Sequence, residues 1–391
     1  MQSVSIPWSA WYDTRTLDLT FPDSWKVTVA DMVGGTDIGD DGIREALASP
    51  IGSRPLRQLA AGRSSAAILI DDLSRPTPSF RLIPYLLEEL AQAGIPEDRV
   101  RVISALAAHR PLTRDDFLKK VGPDLVDRLH VINHNAYENL DFLGHSSRGI
   151  PVWINRDLMA CEVRIALGMI TPRGSFFGGG SKLVLPGAAG HVTILANHRY
   201  IHEGFREHLA EVGKMAGLSF IVNPLLNPDL DVIGLVAGDP EAAYWEGVEI
   251  AKQVYATPAP EAVDVGIFNA FPKDTELMQA GMAMVPLNST KKQIMNENAT
   301  AVIASASPEG LGWHSVFGPG CALRGKPGTP RWGGGIIFSP GCNRFDSAAI
   351  FGDAWVFCKT WPEVLRELES RHGAGSHAAV FPCSAMQYIG D

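Results

Sequence analysis

Apolar residues fall along this chain in two alternating rhythms. Unbroken β-rich runs at residues 65–70 (SAAILI), 100–106, 129–133 and 163–167 (VRIAL) have the length and composition of buried strands. After the first of them, Ile83, Leu86, Leu87 and Leu90 repeat at i, i+3, i+4 and i+7. That stripe predicts a helix over residues 80–93, which Gly94 stops. Strands at 219–222 and 232–236 and a helix at 241–254 continue the theme. The segment TPAPE at 257–261 then interrupts it, and two prolines so close read as a linker. Strands follow at 263–269, 301–306, 335–339 and 378–381, with helical segments around Met278 and at 361–369. The predicted fold class is therefore α/β: two domains with mainly parallel sheets flanked by helices and a cleft between them. The predicted division is 1–258 for the N-terminal domain and 259–391 for the C-terminal one.

A chain of 391 residues is long enough for two cores. Its 34 basic and 43 acidic residues give a net charge of −9, with no basic run, which speaks against nucleic acid and membrane surfaces as partners. No apolar stretch approaches the ~20 residues of a membrane span. The start MQSVSIPWSAWYDTRT lacks a signal-peptide pattern. Five cysteines without a CxxC pair exclude a disulfide framework and a thiolate zinc site, and the expected compartment is the cytoplasm.

Four segments carry candidate chemistry. Asp71-Asp72-Leu73-Ser74-Arg75-Pro76-Thr77-Pro78 lies between a predicted strand and a helix, where open α/β sheets bind ligands. Asp72, Ser74 and Arg75 there suit a ribose and a phosphate; the plain alternative is a capped turn. In Phe177-Gly178-Gly179-Gly180-Ser181-Lys182, three glycines permit close backbone approach to a ligand and Lys182 can meet an anion or act as a nucleophile. The spacing is not that of a Walker A loop, and no G-x-G-x-x-G follows a strand, which disfavours a nucleotide triphosphatase and a nicotinamide dehydrogenase. His191, His198, His202 and His208 form a histidine-rich stretch, and the i, i+4 pair His198 and His202 admits a metal site such as that of a zinc hydrolase. His109, at the carboxyl end of the second strand, is a candidate general base. Any one of these histidines alone is equally a surface, capping or core residue.

Taken in order, DDLSRPTP, ALAAHRPLT, GMITP…FFGGGSKLVLPG and ANH resemble the lactate racemase family, over a span from the LDLTFPD segment at 17–23 to at least Gln279. The resemblance implies an isomerase, a racemase or epimerase, in which the N-terminal domain binds the cofactor and the C-terminal domain closes the cleft. It implies a nickel-pincer nucleotide attached covalently at Lys182, with His198 as the nickel ligand. Asp72, Ser74, Arg75, Gly178, Gly179 and Gly180 would hold the nucleotide. His109, Arg173 and Gln279 would form the catalytic set around a hydroxy acid or sugar-like substrate, and cofactor-assembly enzymes are implied partners. Two positions depart from the pattern. Arg173 stands where the family has a second histidine base, and Met282 where it has a lysine that contacts substrate. These departures imply a substrate other than lactate: another α-hydroxy acid, a sugar acid or a polyol-like alcohol. They leave His202, His314 or water as candidates for the second base. They also fit a homologue that kept nucleotide binding and lost catalysis, or one that moves hydride without inverting a centre.

Overall fold

The computed structural model describes residues 1–12, 15–174, 176–200 and 203–391. Ala66–Ile70 is buried at every position, since helices cover both faces of its sheet. That is why it reads as an unbroken apolar run rather than an alternation. Its six-stranded sheet runs, edge to edge, Val232–Gly238, Phe220–Leu226, Val163–Leu167, Ala66–Ile70, Val100–Ser104 and His130–Asn133. All neighbours are parallel except the edge strand Val232–Gly238, which is antiparallel. A second six-stranded sheet runs Val356–Cys358, Gly334–Phe338, Met295–Ala304, Val263–Asn269, His377–Phe381 and Lys26–Val29, parallel throughout. The fold is α/β with mainly parallel sheets, as the pattern predicts. Among the described residues no helix is long and apolar enough to cross a membrane.

The first 30 residues depart from the expected division at 258. The hairpin of Gln2–Trp8 and Arg15–Phe21 packs on the second sheet, and Lys26–Val29 is that sheet's edge strand, paired with His377–Phe381. The cause is local and apolar. Trp8 stacks on Phe338 at 5.6 Å, Phe21 meets Trp361 edge-on at 5.5 Å, and Ile6, Leu19 and Phe21 are fully buried there. The chain therefore crosses twice between the sheets. The two crossings lie side by side, with Val33 N–H donating to the Ala256 carbonyl at 2.8 Å and Gly34 N–H to that of Val254 at 2.7 Å.

Parallel strands put their carboxyl ends on one edge, and both sheets turn that edge to the same cleft. Asp71 and Asp72 follow Ile70, His109 follows Ser104, and Arg173 follows Leu167; from the second sheet, Lys273 follows Asn269 and His314 follows Ala304. The N-terminal hairpin generates a test. Phe21→Ala removes a fully buried ring and is expected to cost about 3–4 kcal/mol. In a urea titration followed by tryptophan fluorescence, the second sheet should unfold earlier. An unchanged midpoint would contradict this packing.

Candidate active site

The loop after Ala66–Ile70 is fastened from behind. Lys120, fully buried in the helix Arg114–Val121, bonds the Asp71 carboxylate and donates to the carbonyl of Arg75 at 2.8 Å. Thr77 Oγ1 donates to the other Asp71 oxygen at 2.6 Å. Asp72 Oδ1 accepts from Ser74 N–H and Arg75 Nη1, each at 3.0 Å. Burial alone would raise the Asp72 carboxyl, but His109 and Arg75 outweigh it and hold the group well below the usual carboxylate range. Asp72 and Ser74 thus stand one layer behind the cleft and aim Arg75 into it.

The glycine loop is shaped by what it touches. Gly179 has φ +98°, and a Cβ there would lie 2.8 Å from Ile170 Cγ1. Gly180 has φ +57°, and its N–H donates to Asn223 Oδ1 at 3.0 Å. Gly178 and Gly179 line a small cavity with Asp71, Arg75, Arg173 and Lys182. Lys182 lies on the short 3-10 turn Gly180–Leu183. Burial, then Arg75 and Arg173, push its ammonium well below the usual lysine range. A desolvated lysine among cations is an activated nucleophile.

An adjoining cleft of about 970 Å³ brings Arg75, His109, Arg173, Lys182, His198, Gln279, Met282 and His314 to one place. Three of these are histidines, and their outer contacts fix what each ring nitrogen can do. His109 Nδ1 lies 3.5 Å from Asp72 Oδ2 and 3.7 Å from Glu276 Oε1. Both oxygens are buried and have no hydrogen-bond partner. The ring's proton belongs on that side, which leaves Nε2 free to accept one. His198, at the end of the helix His191–His198, donates from Nδ1 to the Ile194 carbonyl at 2.8 Å, and burial pushes it down to about 4. Its Nε2 is therefore a neutral lone pair, as a metal ligand requires. His314 is the reverse case. Its Nδ1 accepts from Val316 N–H at 3.2 Å and Phe317 N–H at 3.1 Å, so the proton sits on Nε2. Burial, then His109 and His198, push it down to about 2. The expectation that His314 might serve as the second base is corrected by this geometry.

The remaining histidines divide similarly. His191 stacks on Tyr137 at 4.9 Å in a separate surface pocket, and His208 pairs with Asn197 at 2.9 Å; neither lines the cleft. His202 lies outside the described residues. Among the described residues no group of three His, Cys, Asp or Glu side chains is arranged to hold a metal, so the zinc-hydrolase reading gains nothing.

The cleft is cationic although the chain is acidic. Arg173 Nε is buried without a partner, and burial, then Arg75, push the guanidinium down to about 9. Lys273 is fully buried with an unpartnered Nζ, held well below the usual lysine range by burial and then by Arg173, Arg75 and Lys182. Cations enclosed without counter-ions imply an anionic occupant. Sequence reading passed over Lys273, Glu276, Lys120 and Asn223. Their surroundings are set by residues far away in the chain, and the one local signal was the carboxyl-end position of Lys273 and Glu276.

Residues 12–209 match the model of the lactate racemase N-terminal domain. The chain belongs to the lactate racemase family. As a member it is an isomerase of the racemase type. It is similar to lactate racemase of Lactiplantibacillus plantarum, 29% identical over 338 residues, 81% of this chain and 78% of the relative. It is 28% identical over 296 residues to that of Thermoanaerobacterium thermosaccharolyticum, 71% and 68% of the two chains. The fold matches the solved lactate racemase apoprotein from the latter organism with TM-score 0.75 over 100% of both chains at 22% identity. A Thermotoga maritima protein matches with TM-score 0.63 at 16% identity, over 91% of this chain and 99% of that one.

The two positions expected to depart from the family pattern touch each other: Arg173 Nη1 lies 3.2 Å from Met282 Sδ. A lysine at 282 would set an ammonium against that guanidinium. The cleft histidine His198 and the core histidine His134 also set a pH response. Unfolded, His134 and His198 have the ordinary value of 6.5; folded, burial holds both at about 4. Between those limits the unfolded chain binds protons that the folded chain refuses, so stability is fully present above the upper limit and falls as pH drops. Thermal melts of the free chain should shift down progressively from about pH 6.5 to about pH 4. A midpoint flat across that window would contradict the buried neutral rings.

Proposed function

We propose that this enzyme racemises or epimerises an α-hydroxy acid, a sugar acid or a related secondary alcohol other than lactate, using a nickel-pincer nucleotide. The observation that carries the reading is the convergence of an activated Lys182 and a lone-pair-bearing His198 in the cleft that also holds His109 and the cations. These residues fit the group. Lys182 would attach it, Gly178 to Gly180 and Arg75 would bind its nucleotide portion, and His198 would supply a nitrogen to nickel. The chemistry such a group supplies is reversible acceptance of hydride from the carbon bearing the hydroxyl.

The chain's own residues do the rest. His109 Nε2 takes the hydroxyl proton, and the Asp72 and Glu276 carboxylates compensate the charge the ring then carries. Arg173, with Lys273 behind it, offers the positive charge that the lysine at 282 no longer provides. Gln279 and Met282 cover the substrate from the second sheet's side and exclude water. Asp72 and Ser74 act as positioning residues for Arg75 and His109.

One observation favours a second reading, hydride transfer without inversion on the same cofactor. With His198 assigned to nickel and His314 turned the other way, His109 is the one cleft histidine, among the described residues, with a basic nitrogen free for substrate. Chiral analysis of a hydroxy-acid panel with enzyme co-produced with the cofactor-assembly enzymes decides. Formation of the opposite enantiomer or epimer, faster on larger acids than on lactate, is the expected result. Ketone formed in step with reduction of another carbonyl, without inversion, would favour the second reading. Arg173→His with Met282→Lys should raise the preference for lactate at least about tenfold. A double variant with unchanged preference would contradict the assignment of these two residues to substrate choice.

A further inference from the structure

The two imidazoles on either side of the cleft carry opposite tautomers, and this has a chemical meaning. His109 comes from the loop after Val100–Ser104 and His314 from the loop after Met295–Ala304, yet their ring centroids lie 5.0 Å apart at 60°. The approach is built by the backbone: Ser315 N–H donates to the Ala108 carbonyl at 2.8 Å, tying the two loops between neighbouring residues of the two histidines. Arg110 adds a two-pronged pair to Glu309, 2.6 Å from Nε and 2.7 Å from Nη2. The His314 tautomer is locked locally, because its Nδ1 takes the place of an N-cap acceptor for Val316 and Phe317 at the head of a turn. A ring held in this way cannot remove a proton from substrate, since its lone pair is spent. It can only donate from Nε2.

We propose that His314 is a substrate-facing hydrogen-bond donor which, with His109 as acceptor, grips the substrate's secondary hydroxyl at one point. This rests on the function proposed above. A hydroxyl is both a donor and an acceptor, and the pair offers it one of each: its O–H donates to His109 Nε2 while its oxygen accepts from His314 Nε2–H. When the O–H bond breaks, the proton moves to His109 Nε2. The proposed cofactor would supply the acceptor for the C–H hydrogen and its electron pair, so that a C=O bond forms as His109 holds the proton. The ketone oxygen then faces two donors, protonated His109 and His314, and stays where the hydroxyl was. Rotation of the ketone about its C=O axis exchanges its faces without moving that oxygen. With hydride resupplied to the other face, His109 would return the proton to the oxygen. A single base thereby serves both faces, which accounts for an arginine at 173 in a racemase-family chain.

The test has two readouts, and the first is independent of the cofactor. Full-length chain carrying nitrogen-labelled histidine is examined by long-range proton–nitrogen correlation, with His314→Phe assigning the signals. The expected pattern is an unprotonated Nδ1 and a protonated Nε2 for His314 at every pH from about 6 to about 8. A proton on Nδ1, or a ring that charges in that range, would overturn the proposal. The second readout is steady-state kinetics of the cofactor-loaded enzyme with lactate and glycerate as probes. His314→Phe should lower kcat on the order of 10²-fold with KM changed less than about threefold, and His314→Gln, which restores an N–H donor, should recover part of the loss. A His314→Phe enzyme as active as the parent would overturn the donor role while leaving the cofactor reading intact. Failure of the cofactor reading shows separately, as an unmodified Lys182.

Discussion

Positive charge enclosed without its counter-ions is the constraint around which this molecule is arranged. Arg173, Lys182 and Lys273 converge beside the Asp72-paired Arg75 at the meeting of two sheets, and the nearby carboxylates have other engagements. Asp71 is taken by Lys120 and Thr77, and Asp72 by Ser74, Arg75 and His109. Left alone, such a cluster is costly, because Arg173 and Lys273 lose their hydration and gain no charged partner. It makes sense as one half of a binding event, with an anionic nucleotide and an acidic substrate supplying the other half. The rest of the structure keeps the cluster in register: the fastening of the loop by Lys120, the hold of Asn223 on Gly180, and the ties between the His109 and His314 loops.

Much of this was legible in the sequence. The buried strands announce themselves as apolar runs, and the helix Ser79–Gln92 sits where its stripe of leucines and isoleucines predicts. The residues of the DDLSRPTP, GGGSK and ANH segments lie on loops or helix ends that parallel strands bring together, so Arg75, Lys182, His109 and His198 share one cleft. What escaped was long-range. Lys26–Val29 pairs with a strand some 350 residues away, and no local pattern encodes that choice of partner. Lys120 looks like a surface lysine of a charged helix until Asp71 is placed beside it. Glu276 and Lys273 acquire meaning only across the cleft. His314 was visible as a candidate, but its direction of hydrogen bonding depends on two backbone N–H groups that sequence does not orient.

The contact between Arg173 and Met282 joins two departures that look independent along the chain. On the proposed reading, Arg173 keeps a positive charge in the cleft and supplies no base. Under the function proposed above, substrate choice and the number of bases would change together while the residues that fit the cofactor are kept. The pairing of a locked donor with a free acceptor then lets one imidazole do the proton work.

The central claim is that Lys182 carries the nucleotide and His198 holds its metal. It is tested most directly by intact and peptide mass spectrometry with nickel analysis, on protein co-produced with the cofactor-assembly enzymes. The account predicts a nucleotide-sized adduct confined to the peptide that contains Lys182, with nickel in step with the adduct and lost in His198→Ala. An unmodified Lys182 and no nickel would contradict it and leave the cationic cleft as a site for a different anion.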